Sequence, residues 1–235
     1  MLLSSVSGAF GVLIASHIYL FFDRLASKDA FAPFLPIDVS CFSNCRSLGL
    51  RCLPLNVLCG VAKLRGQIES LSVTHCRNVT LDGVLAKCLA DQADSGGWTR
   101  LTKLSLGHNK ISELGDSSVL SRLAPDLERV DFGYNELREI AGLDSLPKLT
   151  HVILGHNALS GLPLLYSEAR PLTLSMPHNC LEVLTGLETM TSLVQIDLSW
   201  NLLMHHDVLA PISLLPKLKV LNLQGNPMSV RRDHR

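Results

Sequence analysis

Leu101-Thr102-Lys103-Leu104-Ser105-Leu106-Gly107-His108-Asn109 is the stretch on which the fold turns. Leu104 and Leu106 alternate with Lys103 and Ser105, so both leucines point to one face of a short strand and the polar residues to the other. Asn109 then stands where the chain must turn sharply. Its amide carries an acceptor and two donors for backbone groups that the turn leaves without partners. The same frame returns at residues 127–135, 149–157, 193–201 and 218–226. A degraded copy has Pro171 in the first slot, then Leu174, Met176 and Asn179. The asparagines at 109, 135, 157, 179, 201 and 226 are spaced by 26, 22, 22, 22 and 25 residues.

That periodicity is the mark of a leucine-rich repeat, whose units run to roughly 20–29 residues. The fold class expected is an α/β solenoid: a curved parallel sheet on the concave face, and short helices, 3-10 turns and loops on the convex face. One unit cannot bury its own leucines, and only a neighbouring unit covers them. Each fully buried leucine contributes roughly 1.5–3 kcal/mol. Asn109, Asn135, Asn157, Asn179, Asn201 and Asn226, with Cys76 in the same slot one unit earlier, are expected to form a ladder along one edge of the sheet.

The 235 residues suffice for one elongated domain. Lys and Arg number 21 and Asp and Glu 21, so no basic field recruits nucleic acid or a membrane surface. The seven cysteines leave at least one without a partner in the chain, and none forms a Cys-x-x-Cys pair. They read as small apolar residues of a reducing compartment, which implies a cytoplasmic protein.

Met1 to Phe22 carries no Asp, Glu, Lys or Arg. A signal peptide would need a basic start, and a membrane span a run of roughly 20 apolar residues, here diluted by serines and His17. Ile18, Phe21, Phe22 and Leu25 fall at helical spacing, so residues 1–31 are expected to form a capping helix, with a signal or anchor segment as the alternative. Residues 32–235 would hold about eight repeats. Two weak units precede the regular ones: Cys45, Leu48, Leu50 and Leu53, then Ile68, Leu71, Val73 and Cys76. Leu81 to Gly97 is expected to form a long convex helix closed by a loop, with Trp98 in the core. The Pro171 unit should be the least regular, because proline removes a strand donor. Only nine residues follow Asn226, too few to cover the last leucines, so a C-terminal cap is expected to be missing and the chain to be a fragment.

No phosphate loop, nucleophile elbow, zinc helix or kinase signature occurs, and the expectation is a non-enzyme without cofactor or metal. Asn78-Val79-Thr80 is formally a glycosylation acceptor, and His205-His206 reads as a solvated loop. The informative feature is a column. The residue before each ladder position is His75, His108, Tyr134, His156, His178, Trp200 and Gly225 in turn. Stacking would set these at about 5 Å steps. Between the core leucines stand Ser72, Ser105, Asp131, Ile153, Ser175, Asp197 and Asn222, with Lys103, Arg129, His151 and Gln195 alongside. Aromatics and arginine dominate binding energy at protein interfaces. The expected partner-binding residues are therefore His108, Tyr134, His156, His178, Trp200, Arg129, Asp131 and Asp197.

A resemblance runs through Arg46-Ser47-Leu48-Gly49-Leu50-Arg51, Tyr134-Asn135, Asp197-Leu198 and Asn201-Leu202-Leu203. It continues in Leu214-Leu215-Pro216-Lys217-Leu218 through Gly225-Asn226-Pro227 to His234-Arg235. From Ile18 onward the chain resembles the N-terminal leucine-rich region of the family that interacts with serine/threonine kinase eleven, the liver tumour-suppressor kinase. The resemblance implies a cytoplasmic, non-catalytic scaffold that binds a serine/threonine kinase. Nischarin-like adaptors carry a similar repeat block. A phosphatase-holding subunit and a secreted or membrane-anchored receptor are the other readings open to this sequence.

Overall fold

The computed structural model describes residues 2–6, 9–14, 16–22, 36–85, 97–115, 118–165 and 172–229. Its strands are β1 (Leu2–Val6), β2 (Ala9–Ile14), β3 (His17–Phe22), β4 (Ile37–Asp38), β5 (Ser47–Arg51), β6 (Leu58–Cys59) and β7 (Ser70–Thr74). They continue as β8 (Lys103–Ser105), β9 (Arg129–Asp131), β10 (His151–Ile153), β11 (Leu172–Ser175), β12 (Leu193–Asp197) and β13 (Val220–Asn222). Eleven of them form one sheet in the order β1-β2-β3-β5-β7-β8-β9-β10-β11-β12-β13, while β4 and β6 pair separately. From β3 to β13 every pairing in the large sheet is parallel. The repeats therefore stack as a leucine-rich-repeat solenoid.

Register follows the repeat frame. Leu71, Leu104, Val130, Val152, Leu174, Ile196 and Leu221 lie in one row across β7 to β13. All but Leu221, on the edge strand, are buried. The other alternate residues, Ser72 through Asn222, form a parallel row on the opposite face. Between strands the chain returns through α1 (Leu81–Leu85), α2 (Ser118–Leu123) and 3-10 turns such as Leu143–Ser145 and Leu187–Thr189. Gly142 and Gly186 open those two turns with φ of 79° and 95°, a conformation that glycine reaches at no steric cost.

Each ladder asparagine bridges two coils. Asn135 accepts from the backbone N–H of Asn109 at 3.0 Å and of Ile111 at 3.1 Å, and its Nδ2 donates to the carbonyls of Leu106 and Phe132, both at 2.9 Å. Asn109, Asn157, Asn179, Asn201 and Asn226 repeat the scheme, each donating to one carbonyl of its own turn and one of the preceding coil. Cys76 is buried in the same slot and its thiol donates to the Thr74 carbonyl at 3.3 Å.

The structure corrects the capping helix expected over residues 1–31. Within that span the described residues form three strands, β1 and β2 pairing antiparallel, β2 and β3 antiparallel, and β3 joining the solenoid sheet beside β5. Ile18 and Leu20 are buried whereas Tyr19 between them is exposed, which is the alternation of a strand. Ile, Tyr and Phe favour a pleated surface, and in an uncharged run the helical spacing of Ile18, Phe21 and Phe22 did not discriminate. The tyrosine ring lies over Gly49, where a β-carbon would come within 2.4 Å of its Cδ1.

Of the helix expected from Leu81, α1 is its start; residues 86–96 lie outside the described residues. Trp98 is fully buried, and its indole N–H donates to the Leu85 carbonyl at 3.3 Å. Pro171 also lies outside the described residues, but the register of β11 against β12 slips between Leu172 and Thr173, immediately after it. No helix among the described residues is long and apolar enough to cross a membrane.

Candidate functional site: a stacked column of rings beside a polar sheet face

The residue before each ladder position occupies left-handed backbone. φ is 57° at Cys52, 56° at His75, 62° at His108, 56° at Tyr134, 57° at His156, 54° at His178, 56° at Trp200 and 76° at Gly225. A non-glycine residue held there costs about 1–3 kcal/mol. The coil turn over-determines it: the N–H of Tyr134 donates to Gly155 at 2.8 Å, that of His156 to Pro177 at 2.8 Å and that of Trp200 to Gln224 at 2.8 Å. The left-handed turn aims every side chain of the column the same way, at the C-terminal ends of the strands.

Six rings consequently stack face to face without a break. Centroids lie 4.7 Å apart for His75–His108, 4.2 Å for His108–Tyr134, 4.0 Å for Tyr134–His156, 4.2 Å for His156–His178 and 5.4 Å for His178–Trp200. The steps agree with the strand spacing of roughly 4.7–4.9 Å that carries them. Tyr134 and Trp200 are each 52% exposed. Loss of water holds the His75 imidazole below its ordinary range, with the charges of Arg51 and His108 acting the same way. His156 is lowered by loss of water first, then by His178 and His108. At both rings the neighbouring imidazoles add to the loss of water, so His75 and His156 favour the neutral form.

The remaining site residues are brought onto the neighbouring face. Arg129 is exposed in the row of Lys103 and His151. Asp131 and Asp197 share the inner polar row, where both carboxylates are already engaged. Asp131 accepts from the Gly133 N–H at 3.0 Å and the Ser105 hydroxyl at 3.3 Å. Asp197 accepts from the Ser199 N–H at 2.9 Å and its hydroxyl at 2.7 Å. Asn222 repeats the motif with the Gln224 N–H at 3.1 Å. These side chains brace the turn two residues on, a duty that the Asp-x-Gly and Asp-x-Ser spacing could have disclosed. No group of three or more potential metal ligands occurs among the described residues.

The stacked parallel strands, the asparagine ladder and the repeat frame define a leucine-rich-repeat solenoid. The family model described as "Leucine rich repeat" matches residues 99–159. Its repeat region resembles that of serine/threonine-protein kinase 11-interacting protein: the Gallus gallus protein is 33% identical over 197 residues, 83% of this chain and 18% of that protein. The chain thus spans under a fifth of that relative's length. Geranylgeranyl transferase type-2 subunit alpha of Bos taurus is 33% identical over 114 residues, 48% of this chain and 20% of that one. Among solved structures, a leucine-rich-repeat protein of Leptospira interrogans shares the fold with a TM-score of 0.57 and 24% identity, over 78% of this chain and 44% of that chain.

Proposed function

We propose that this chain is a non-catalytic, cytoplasmic interaction scaffold that docks a protein partner against the ring column and the adjoining polar sheet face. The partner favoured is a serine/threonine kinase or a signalling protein that accompanies one. The observation that carries the reading is the unbroken stack from His75 to Trp200, half-exposed at Tyr134 and Trp200. Rigid aromatic surface already ordered by stacking loses little freedom on binding, and such residues supply a large share of interface energy. Similarity to the serine/threonine-protein kinase 11-interacting proteins of Gallus gallus and Homo sapiens supports the choice of partner.

Pull-down of kinases by the chain, with and without Tyr134→Ala and Trp200→Ala together, tests it. Capture should fall at least about tenfold, the loss of one hot-spot contact. Undiminished capture by the folded double variant removes this surface from consideration.

A further inference from the structure

The ring stack stops at His75, because the same slot one coil earlier holds Cys52. The coil turn also changes there. Elsewhere the column N–H reaches the residue before the next ring, as His108 does to Gly133, but His75 donates to the carbonyl of His108 itself. Asn135 accepts the Ile111 N–H two positions beyond the ladder residue, whereas Asn109 takes only the N–H of Cys76 from the coil before it. The turn at Arg77 and Asn78 therefore swings away from the regular path, and a cavity of about 590 Å³ opens between the two coils.

Its lining includes Cys52, His75, Asn78 and His108 together with two cations, Arg77 and Lys110, and no Asp or Glu. The charge of Arg51 also reaches His75. Three basic groups of the fold are held in ion pairs, Arg46 and Arg100 by Glu69 and Lys148 by Asp126. Among the described residues Arg77 and Lys110 have no such carboxylate. In a chain of zero net charge, two unpaired cations and two imidazoles converging on one concavity form a local anion trap.

We propose that this cavity binds the phosphate group of a phosphorylated peptide segment, Arg77 and Lys110 supplying charge and His75 and His108 supplying ring N–H donors. His75 and His108 belong to the cavity and to the column alike, so a bound peptide continues from one to the other; this part rests on the proposed docking surface. Two cations and two ring N–H donors match the charge and the three acceptor oxygens of a phosphate group better than those of a single carboxylate.

The test titrates N-acetyl-phosphoserine N-methylamide, and its unphosphorylated form, into the 235-residue chain at constant ionic strength, following the histidine ring signals by NMR. Saturable shifts are expected at His75 and His108 with the phosphorylated probe only, weakened roughly tenfold by Arg77→Gln with Lys110→Gln, the loss of charge-assisted bonds. Thermal melting confirms that the variant is folded, and the single Lys110→Gln variant serves if it is not. Shifts that do not saturate, that the unphosphorylated probe reproduces, or that survive the substitutions overturn the proposal. So does capture of the chain by phosphoinositide vesicles with no response to the phosphoserine probe. The Tyr134→Ala, Trp200→Ala variant separates the two readings: probe binding without any effect on kinase capture sinks the docking surface and keeps the anion site, and the converse result does the reverse.

Discussion

The indole of Trp200 occupies the place that a β-carbon on Gly225 would need: such an atom would lie 2.6 Å from Cδ2 of the ring. Gly225 sits in the column slot at φ 76°, so the last ring of the stack is covered by a residue with no side chain. Gly225→Ala therefore meets two penalties. The left-handed backbone costs roughly 1–2 kcal/mol for an L-residue, and the indole must move aside. The variant should unfold at lower urea with an unchanged m-value. Acrylamide should quench Trp200 more readily, while the buried Trp98, the second of the two tryptophans, stays protected.

Thiol reactivity should divide the cysteines by the ladder. Cys76 is buried in the slot that asparagine fills elsewhere, and burial pushes its thiol above the ordinary range; Cys45 is raised for the same leading reason. Cys41 and Cys180 are exposed. At pH 8 an aromatic disulfide reagent should modify Cys41 and Cys180 quickly, and Cys45 and Cys76 only as fast as the fold opens, because the thiolate is the nucleophile. Mass spectrometry of partly modified protein reads the order directly, and early loss of Cys76 would contradict the burial.

The column makes stability depend on pH. His75 and His156 are both held below their ordinary value of 6.5 in the folded chain. The unfolded chain then binds more protons than the folded one as pH falls from about 6.5, so stability is complete above that pH and is lost as pH drops through the folded values. Melting temperature should decline across that window. His156→Phe keeps a ring in the stack and removes one titrating group, so its decline should be shallower. A pH profile identical to that of the unaltered chain would show that the stack does not oppose protonation.

Much of this architecture was legible because the leucine frame is strict. Leu104, Val130, Val152, Leu174 and Ile196 fall in one buried row, as their slots require. The ring column was legible too, since a slot that returns after 33 residues from His75 and then every 22 to 26 residues from His108 onward must recur at every strand spacing. What pattern could not convey was backbone hand. Nothing in His108 or Tyr134 announces a φ near 60°, yet that hand brings the rings face to face. Gly225 in the same slot was the one clue. The N-terminal strands escaped for a different reason: an uncharged run satisfies helical and alternating spacing together, and pairing with β5 decided between them. The bracing role of Asp131 and Asp197 was legible only in the Asp-x-Gly and Asp-x-Ser spacing, because an acidic residue on a polar face otherwise looks free until its turn is seen.

The asparagine ladder yields a graded prediction. In Asn135→Ala the backbone N–H groups of Asn109 and Ile111 lose the acceptor they share. The carbonyls it served fare better, because Leu106 keeps a bond from Asn109 and Phe132 keeps one from Asn157. Each orphaned buried N–H costs about 1–3 kcal/mol, so the pair amounts to roughly 2–6 kcal/mol before relaxation. At the far end Asn226 accepts only from the Leu203 N–H, at 3.2 Å. Asn226→Ala should thus destabilise by about half as much, roughly 1–3 kcal/mol. Urea denaturation of the two variants, followed by far-ultraviolet circular dichroism, measures the ratio. If both lose the same stability, or Asn226→Ala loses more, the number of backbone groups held by each rung is not what sets its contribution.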